Sequence, residues 1–464
     1  MKIRLPLTIV SLLLLAALAC TLTSEAPATL APSTPIATIT PDPGLSAPTL
    51  QFSENNIAPP VGVVESAPDP NTSPTNIEQV DANRMMGYIN TLVSFQTRHI
   101  LSTASTTTGI KAAENFLINE MHAIADSSPN EFLQIDVYTH QFQIEWGGQE
   151  VFPSNVVMAV QGTDATAGVV MVTAHYDTAL QQWFEGDAFQ PGANDNGSGV
   201  AAVLEIARIM VQKPHRATLV FVLFAAEETG RQGSQTFVRE FIQAQNIPLV
   251  AVINLDIIGS PEGRRGERFD NALRVYSEGP NPTSASRQLA RMAQVSTARL
   301  VPDMELVVMD RTDRSGRWGD HMSFSDEGYP AIRFIEMADD ATIAHTSRDT
   351  VDRVDANYLR RTTQVTLAAL EMMADGPNPP TMRPLTPSAT DPSSLTLEWS
   401  HNPVCQSYVI ALRRPEALVY SEFYTVEATS LSWGGFKNFE SVTVGCVDGD
   451  GLLGRFAQEL LISP

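Results

Sequence analysis

The sequence predicts an α/β protein, a mostly parallel mixed sheet flanked by helices on both faces, with a small C-terminal all-β sandwich. Short apolar runs at 169–172, 219–224, 249–255 and 331–335 alternate with segments of helical period. Runs that are continuous rather than alternating mark strands covered on both faces, as in a largely parallel sheet. Each run leads into residues that can hold a cation or move a proton, at the strand ends where such sheets gather their ligands. After Asp375-Gly-Pro-Asn-Pro-Pro the texture changes to brief strands separated by turn residues.

At 464 residues the chain exceeds one ordinary core, so two or more domains are expected. Residues 1–20 combine Lys2 and Arg4, an apolar stretch and Ala17-Leu18-Ala19-Cys20. That is a secretory signal, too short for a comfortable membrane span, and its end resembles a bacterial lipobox in which Cys20 is acylated. Leu is usual where Ala17 stands, so plain secretion is the alternative. Either way the protein is expected to be exported, as a cell-surface lipoprotein anchored through lipid on Cys20 or as a secreted protein. Residues 21–79 hold no Lys or Arg and are rich in Pro, Thr, Ser and Ala. Such a composition cannot bury enough apolar area to offset the entropy of ordering, which predicts a disordered linker.

The main folded domain is expected over 80–375. Ala113, Phe116, Leu117, Met121 and Ile124 recur at helical spacing. The strand at 169–172 leads into His175, and a helix follows over 200–211. The strand at 219–224 leads into Glu227, that at 249–255 into Asp256, and that at 331–335 precedes the loop of His345. A helix at 356–373 closes the domain. Residues 376–387 read as a linker. In 388–464, strands at 395–399, 407–412 and 441–446, with Trp399, Tyr408 and the turn at 447–451, resemble a fibronectin type III-like sandwich. Nothing in that segment names a ligand for it.

Lys plus Arg number 30 against 52 Asp plus Glu, a net charge of −22. Such a surface repels phosphate backbones, so nucleic acid is excluded as a partner. The only cysteines are Cys20, Cys405 and Cys446, so no thiolate site or Cys nucleophile lies in the central region. If Cys20 carries lipid, the other two make an even pair in an exported chain: either a Cys405–Cys446 disulfide or two buried thiols.

The chemistry-bearing residues fall in order. In His175-Tyr-Asp177 the imidazole can ligate while the carboxylate accepts its other proton, fixing tautomer and basicity. Asn194-Asp195-Asn196-Gly-Ser-Gly opens the helix at 200 and can be an N-cap turn or can hold a carboxylate between two metals. Glu227-Glu228 are adjacent acids at a buried strand end, which repel one another unless cations compensate. Asp256 repeats the strand-then-acid pattern. His345 supplies a second imidazole, with Asp349 nearby in sequence as its candidate partner.

Together with Gly319-Asp320-His321-Met-Ser-Phe324, these segments resemble the M28 family of zinc aminopeptidases over roughly residues 81–374. The resemblance implies two Zn²⁺ ions: His175 and Asp256 on one, Glu228 and His345 on the other, and Asp195 bridging. It makes Glu227 the general base and Asp177 the group orienting His175. It also implies a cis peptide at Asp195–Asn196, and site scaffolding by Asp320 and His321. Two departures stand out. Many members carry a Tyr where this chain has Ala344, and Ser where it has Gly319. The expected function is hydrolysis of N-terminal residues from peptides with a free N-terminus. The alternatives are a glutaminyl cyclase-like acyltransferase, a carboxypeptidase or dipeptidase of the same fold, and a non-catalytic binding module. The segment 300–318 is expected to shape the substrate pocket.

Overall fold

The computed structural model describes residues 76–180, 186–277, 281–314 and 318–462. The expected signal with Cys20, and the linker up to residue 75, lie outside the described residues. The folded chain already includes Asn76, ahead of the expected start at 80. Asn76 Nδ2 donates to Glu371 at 2.7 Å, and Ile77–Gln79 forms a 3₁₀ turn with Ile77 buried.

In chain order the main domain runs α1 (Ala82–Ser94), α2 (Gly109–Asp126), β1 (Ile135–Gln141), the hairpin β2 (Ile144–Trp146) and β3 (Gln149–Val151), and β4 (Ser154–Val160). Then come β5 (Val169–His175), α3 (Gly197–Met210), β6 (Thr218–Phe224), α4 (Gln232–Phe237) and β7 (Leu249–Leu255). The last part holds β8 (Ala272–Tyr276), α5 (Ala285–Leu300), β9 (Glu305–Val308), α6 (His321–Ser325), β10 (Ala331–Glu336) and α7 (Ala356–Ala374). The sheet order is β1-β4-β6-β5-β7-β10-β8-β9. Its centre, β6-β5-β7-β10, is parallel, and antiparallel pairing enters at β4 and β8.

Every residue of β5 is buried, as is all of β10. The sheet's two faces meet different layers. Val170, Val172, Phe221, Leu223, Ile253 and Phe334 join the larger core with α1, α2, α3, α5 and α7. Met171, Val220, Val222, Phe224 and Val252 face the smaller layer, with Phe237 and Phe324 from α4 and α6. Burial of each such side chain contributes roughly 1.5–3 kcal/mol, which holds the central strands and their ends in place. The chain leaves β5 for β6 on one side and then crosses to β7 on the other. That reversal opens a crevice at the carboxyl end of β5.

The C-terminal segment is an antiparallel sandwich. Its first sheet pairs β11 (Thr386–Pro387), β12 (Leu395–Glu398) and β15 (Ser430–Trp433). The second holds β14 (Glu422–Val426), β13 (Ser407–Arg413), β16 (Ser441–Val447) and β17 (Leu453–Phe456), with β18 (Leu460–Leu461) on β16. Trp399 and Tyr408 pack edge to face between the sheets, at a centroid distance of 5.6 Å. Of the two states left open for the cysteines, the structure has the disulfide: Cys405 is bonded to Cys446, with Cα atoms 5.5 Å apart.

The sandwich's other face packs against the main domain. Val409, Ala411, Tyr420, Phe423, Leu453 and Phe456 join the larger core. Arg291 of α5 pairs with Glu459 at 2.7 Å, both side chains 1 % exposed. Glu459 also accepts from Tyr420 Oη and Ser441 Oγ, each at 2.8 Å. Among the described residues, no helix is long and apolar enough to cross a membrane.

Candidate metal centre

The central strands deliver the predicted side chains to one place. His175 is the last residue of β5, Asp256 follows β7, Glu227 and Glu228 follow β6, and Asp195 precedes α3. His345 reaches in from the long connection between β10 and α7. His175 Nε2 lies 3.4 Å from Asp195 Oδ1 and 3.6 Å from Asp256 Oδ1. His345 Nε2 lies 3.3 Å from Asp195 Oδ2 and 2.9 Å from Glu228 Oε2. Asp195 therefore turns one oxygen to each imidazole.

The backbone at these positions is unusual. Ala226, Ile257 and His345 have positive φ values of 61°, 61° and 56°. Each is a candidate site residue or adjoins one, and for β-branched Ile257 the left-handed region is costly. The neighbouring structure enforces it: the Glu336 N–H donates to the Ile257 carbonyl at 2.8 Å, and Gln232 N–H to that of Ala226 at 2.9 Å. The Asp195–Asn196 peptide is cis.

Buried polar groups hold the loops. Asp177 accepts the N–H of Glu227 on Oδ1 and that of Glu228 on Oδ2, both at 3.1 Å. Its Oδ1 lies 3.5 Å from His175 Nδ1, which is 3.2 Å from the Asp177 carbonyl. One carboxylate thus positions the β6 turn as well as the imidazole. Asp349, matched to His345 from sequence, places its oxygens elsewhere: Oδ1 accepts the N–H of Asn194 at 2.9 Å and Oδ2 that of Asp195 at 2.8 Å. It fixes the loop that carries Asp195. Asn196 caps α3 through Gly199 N–H at 3.0 Å and donates from Nδ2 to the Leu255 carbonyl at 2.8 Å.

Sequence reasoning missed three contributors. Glu336 Oε2 accepts from Asn194 Nδ2 at 2.8 Å and from Ser260 N–H at 2.9 Å, steadying the turn after Asp256. It ends an apolar run, the same signal that marked Glu227 and Asp256. Arg333 lies 3.6 Å from Asp256 Oδ2, binds Asp313 at 2.6 Å and donates to the Trp318 carbonyl at 3.1 Å. It ties Asp313 and Trp318 to the site, whereas the earlier part of the segment expected to shape the pocket is the edge strand β9. Arg98 lies buried behind the loops, and no motif marks it.

Electrostatics show a demand for positive charge at the site. Burial pulls the His175 imidazolium down, but hydrogen bonding to Asp177, Asp195 and Asp256 more than reverses this, leaving its pKa well above the usual value. Glu228 beside it is the main reason His345 is raised, to about 11. Desolvation holds the Glu227 carboxyl well above its ordinary range; His175 opposes this, while Asp320, Glu228 and Asp256 add to it. Burial also lifts Asp320 to about 7, and lowers His321 to about 3. Both stand at the start of α6, where His321 and Asp320 are almost wholly buried. Clustered acids raise the proton affinity of both imidazoles, and a divalent cation would meet the same excess of negative charge. Glu228 Oε1 is buried and takes no hydrogen bond among the described residues. His175, Asp195 and Glu228 present ligand atoms all within 4.8 Å of one another. Imidazole nitrogens with carboxylate oxygens suit zinc.

Residues 155–370 match the model of peptidase family M28. A probable zinc metalloprotease of Pyricularia oryzae is 33% identical over 379 residues, covering 74% of this chain and 74% of that protein. Another, from Leptosphaeria maculans, is 29% identical over 398 residues, covering 79% of this chain and 91% of that protein. In fold, the chain is similar to LapB from Legionella pneumophila, with a TM-score of 0.51 at 22% identity over 63% of this chain and 72% of that one. It is also similar to BSAP, a zinc aminopeptidase from Bacillus subtilis, with a TM-score of 0.50 at 15% identity over 64% of this chain and 96% of that one. Motif order, fold and relatives agree: the chain belongs to peptidase family M28, a family of zinc metallopeptidases.

Proposed function

We propose that this protein is an aminopeptidase that binds two zinc ions and removes N-terminal residues from peptides. One observation carries the reading: Asp195 offers Oδ1 to the His175 side of the site and Oδ2 to the His345 side, at 3.4 and 3.3 Å. His175 and Asp256 would hold one ion, Glu228 and His345 the other, with Asp195 between them. What zinc supplies when bound is Lewis acidity, toward the scissile carbonyl and toward water.

The chain's own groups do the rest. Glu227 is the general base: it takes a proton from the attacking water and returns it to the leaving amine. Asp177, through the N–H groups of Glu227 and Glu228, fixes the turn on which both sit. A cleft beside Asp195 is lined by Glu262, Asp339 and Asp340, with Arg353, and by Ile257 and Ala344. Its acidic wall favours a free α-ammonium group, which supports exopeptidase action on the N-terminus. Ala344 brings no hydroxyl, so help for the developing oxyanion comes from elsewhere in the site. The same proposal puts the enzyme outside the cytoplasm, held by lipid on Cys20 or secreted; the Cys405–Cys446 disulfide supports an oxidising compartment.

The test is a panel of aminoacyl-anilides, N-blocked controls and peptides with N-terminal Gln, assayed with and without chelator, beside a zinc count on the purified protein. We expect two ions per chain and chelator-sensitive release from the free-amine substrates alone. Cleavage confined to blocked peptides overturns the aminopeptidase reading, and cyclisation of N-terminal Gln with one bound ion replaces it by an acyltransferase.

A further inference from the structure

Arg98 lies in the connection between α1 and α2, far in sequence from every candidate ligand, yet its side chain is fully buried. Nε donates to the Tyr176 carbonyl at 2.7 Å, Nη1 to that of Pro191 at 2.7 Å and Nη2 to that of Gly192 at 2.8 Å. Its backbone is pinned as well: Arg98 N–H donates to Thr178 Oγ1 at 3.0 Å, and Thr178 N–H to the Arg98 carbonyl at 3.2 Å. Tyr176 separates His175 from Asp177, and residues 191–192 open the turn that delivers Asp195. One guanidinium therefore ties the strand end bearing His175 to the loop bearing Asp195.

The loop is shaped around it. Gly192 has φ of +52°, and a Cβ there would lie 2.8 Å from Arg98 Nη2 and 2.6 Å from the Asp195 carbonyl oxygen. All three acceptors are neutral carbonyls, whereas a buried cation ordinarily needs matching negative charge. That charge stands one layer away, in Asp349, Asp177, Asp195 and Glu228, all of which act on the guanidinium.

We propose that Arg98 is a positioning residue of the metal centre, a rigid fork that sets His175 against Asp195 and a permanent cation that keeps the acids together before metal arrives. This rests on the zinc-binding reading of the same site. A lysine retains the charge but cannot reach three carbonyls from one planar group. Arg98→Lys should therefore lower zinc affinity about 10- to 100-fold, as loss of groups supporting metal ligands does. Affinity is measured on the full chain by competition with a chromophoric chelator, and the unfolding midpoint of the metal-free protein is measured in parallel. Thr178→Val removes the hydroxyl that accepts the Arg98 N–H, keeps the Thr178 N–H bond to the Arg98 carbonyl and leaves the guanidinium, a milder change should the lysine variant not fold. It should weaken zinc binding in the same direction by roughly severalfold. A purely structural role would lower the midpoint and leave affinity per folded molecule unchanged. Zinc binding by the folded variants within about twofold of wild type overturns the inference, whatever the midpoint does. Failure of the wild-type chain to bind zinc in the same titration overturns the metal reading itself, a different and separable result.

Discussion

Two buried polar assemblies in this protein are built on opposite terms. At the seam between α5 and the sandwich, Arg291 and Arg413 meet Glu459, and Arg413 also meets Glu440 at 2.9 Å. Two cations face two acids, and the charge closes within the protein. At the ends of the central strands, Asp177, Asp195, Glu227, Glu228, Asp256 and Asp320 crowd around His175 and His345, and among the described residues Arg333 comes to 3.6 Å from Asp256. The first assembly is a fastening. The second leaves an excess of acid that a bound divalent cation would offset, so the same change in charge has opposite consequences in the two places.

Substitutions can break or sharpen that contrast. The largest effect is expected from Glu227→Gln: turnover should fall about 10³-fold, within the range for loss of a general base. Zinc content should stay unchanged, and the metal-free protein should be no less stable, because an uncompensated acid has gone. A zinc count, steady-state kinetics and thermal unfolding check this together, and near wild-type turnover would remove Glu227 from the mechanism. At the seam the pattern reverses. Arg291→Met leaves Glu459 with one cation fewer in a buried setting and should cost about 3–5 kcal/mol of stability. The kcat/KM per folded molecule should be untouched, as denaturant titration and kinetics on the same preparation would report.

Smaller effects follow. Replacing Cys405 and Cys446 by Ser should cost about 4 kcal/mol, since the bond closes a loop with a sequence separation of 41. Zinc affinity should not move; a large change there would mean that the sandwich influences the metal loops. The smallest concerns Glu336, which burial holds well above the ordinary carboxylate range, Asn194 and Ser260 drawing it back in part. The folded state keeps a proton there that the unfolded chain releases above about pH 4, so this group contributes stability that is lost as pH rises beyond that point. Glu336→Gln should flatten that decline while keeping an oxygen for Asn194 and Ser260. Parallel pH profiles of unfolding for the metal-free proteins would show it, and identical slopes would discard the account.

The legible part of the site was the part with local signals. His175, Glu227 and Asp256 each end or follow an apolar run, so strand and ligand are read together. Glu336 carried the same mark and could have been read the same way. Asp349 was assigned to His345 because the two are neighbours in sequence, yet its carboxylate binds the N–H groups of residues 194 and 195, some 155 positions away. Arg98 has no signal at all: one arginine in a loop, meaningful only because Tyr176, Pro191 and Gly192 turn their carbonyls toward it. The antiparallel strands β1 and β4 also escaped the reading. β1 is partly exposed at the sheet edge and its apolar run is broken, whereas β4 is a buried apolar run that carried the same signal as the central strands and could have been read.

By itself the sequence determined the alternation of strands and helices, the six residues of the centre and their order, and the change to a β-sandwich after residue 375. It could do so because burial on two faces writes continuous apolar runs, and because the chemistry demands imidazoles and carboxylates at the ends of those runs. Only the tertiary structure decided that Asp195 faces both histidines, that Asp177 holds the β6 turn as well as His175, that Arg98 braces the centre, and that the sandwich is fastened to α5 through Glu459. Those facts depend on which distant carbonyls and carboxylates come within hydrogen-bond reach. Packing sets such distances, and no local pattern in the chain records them.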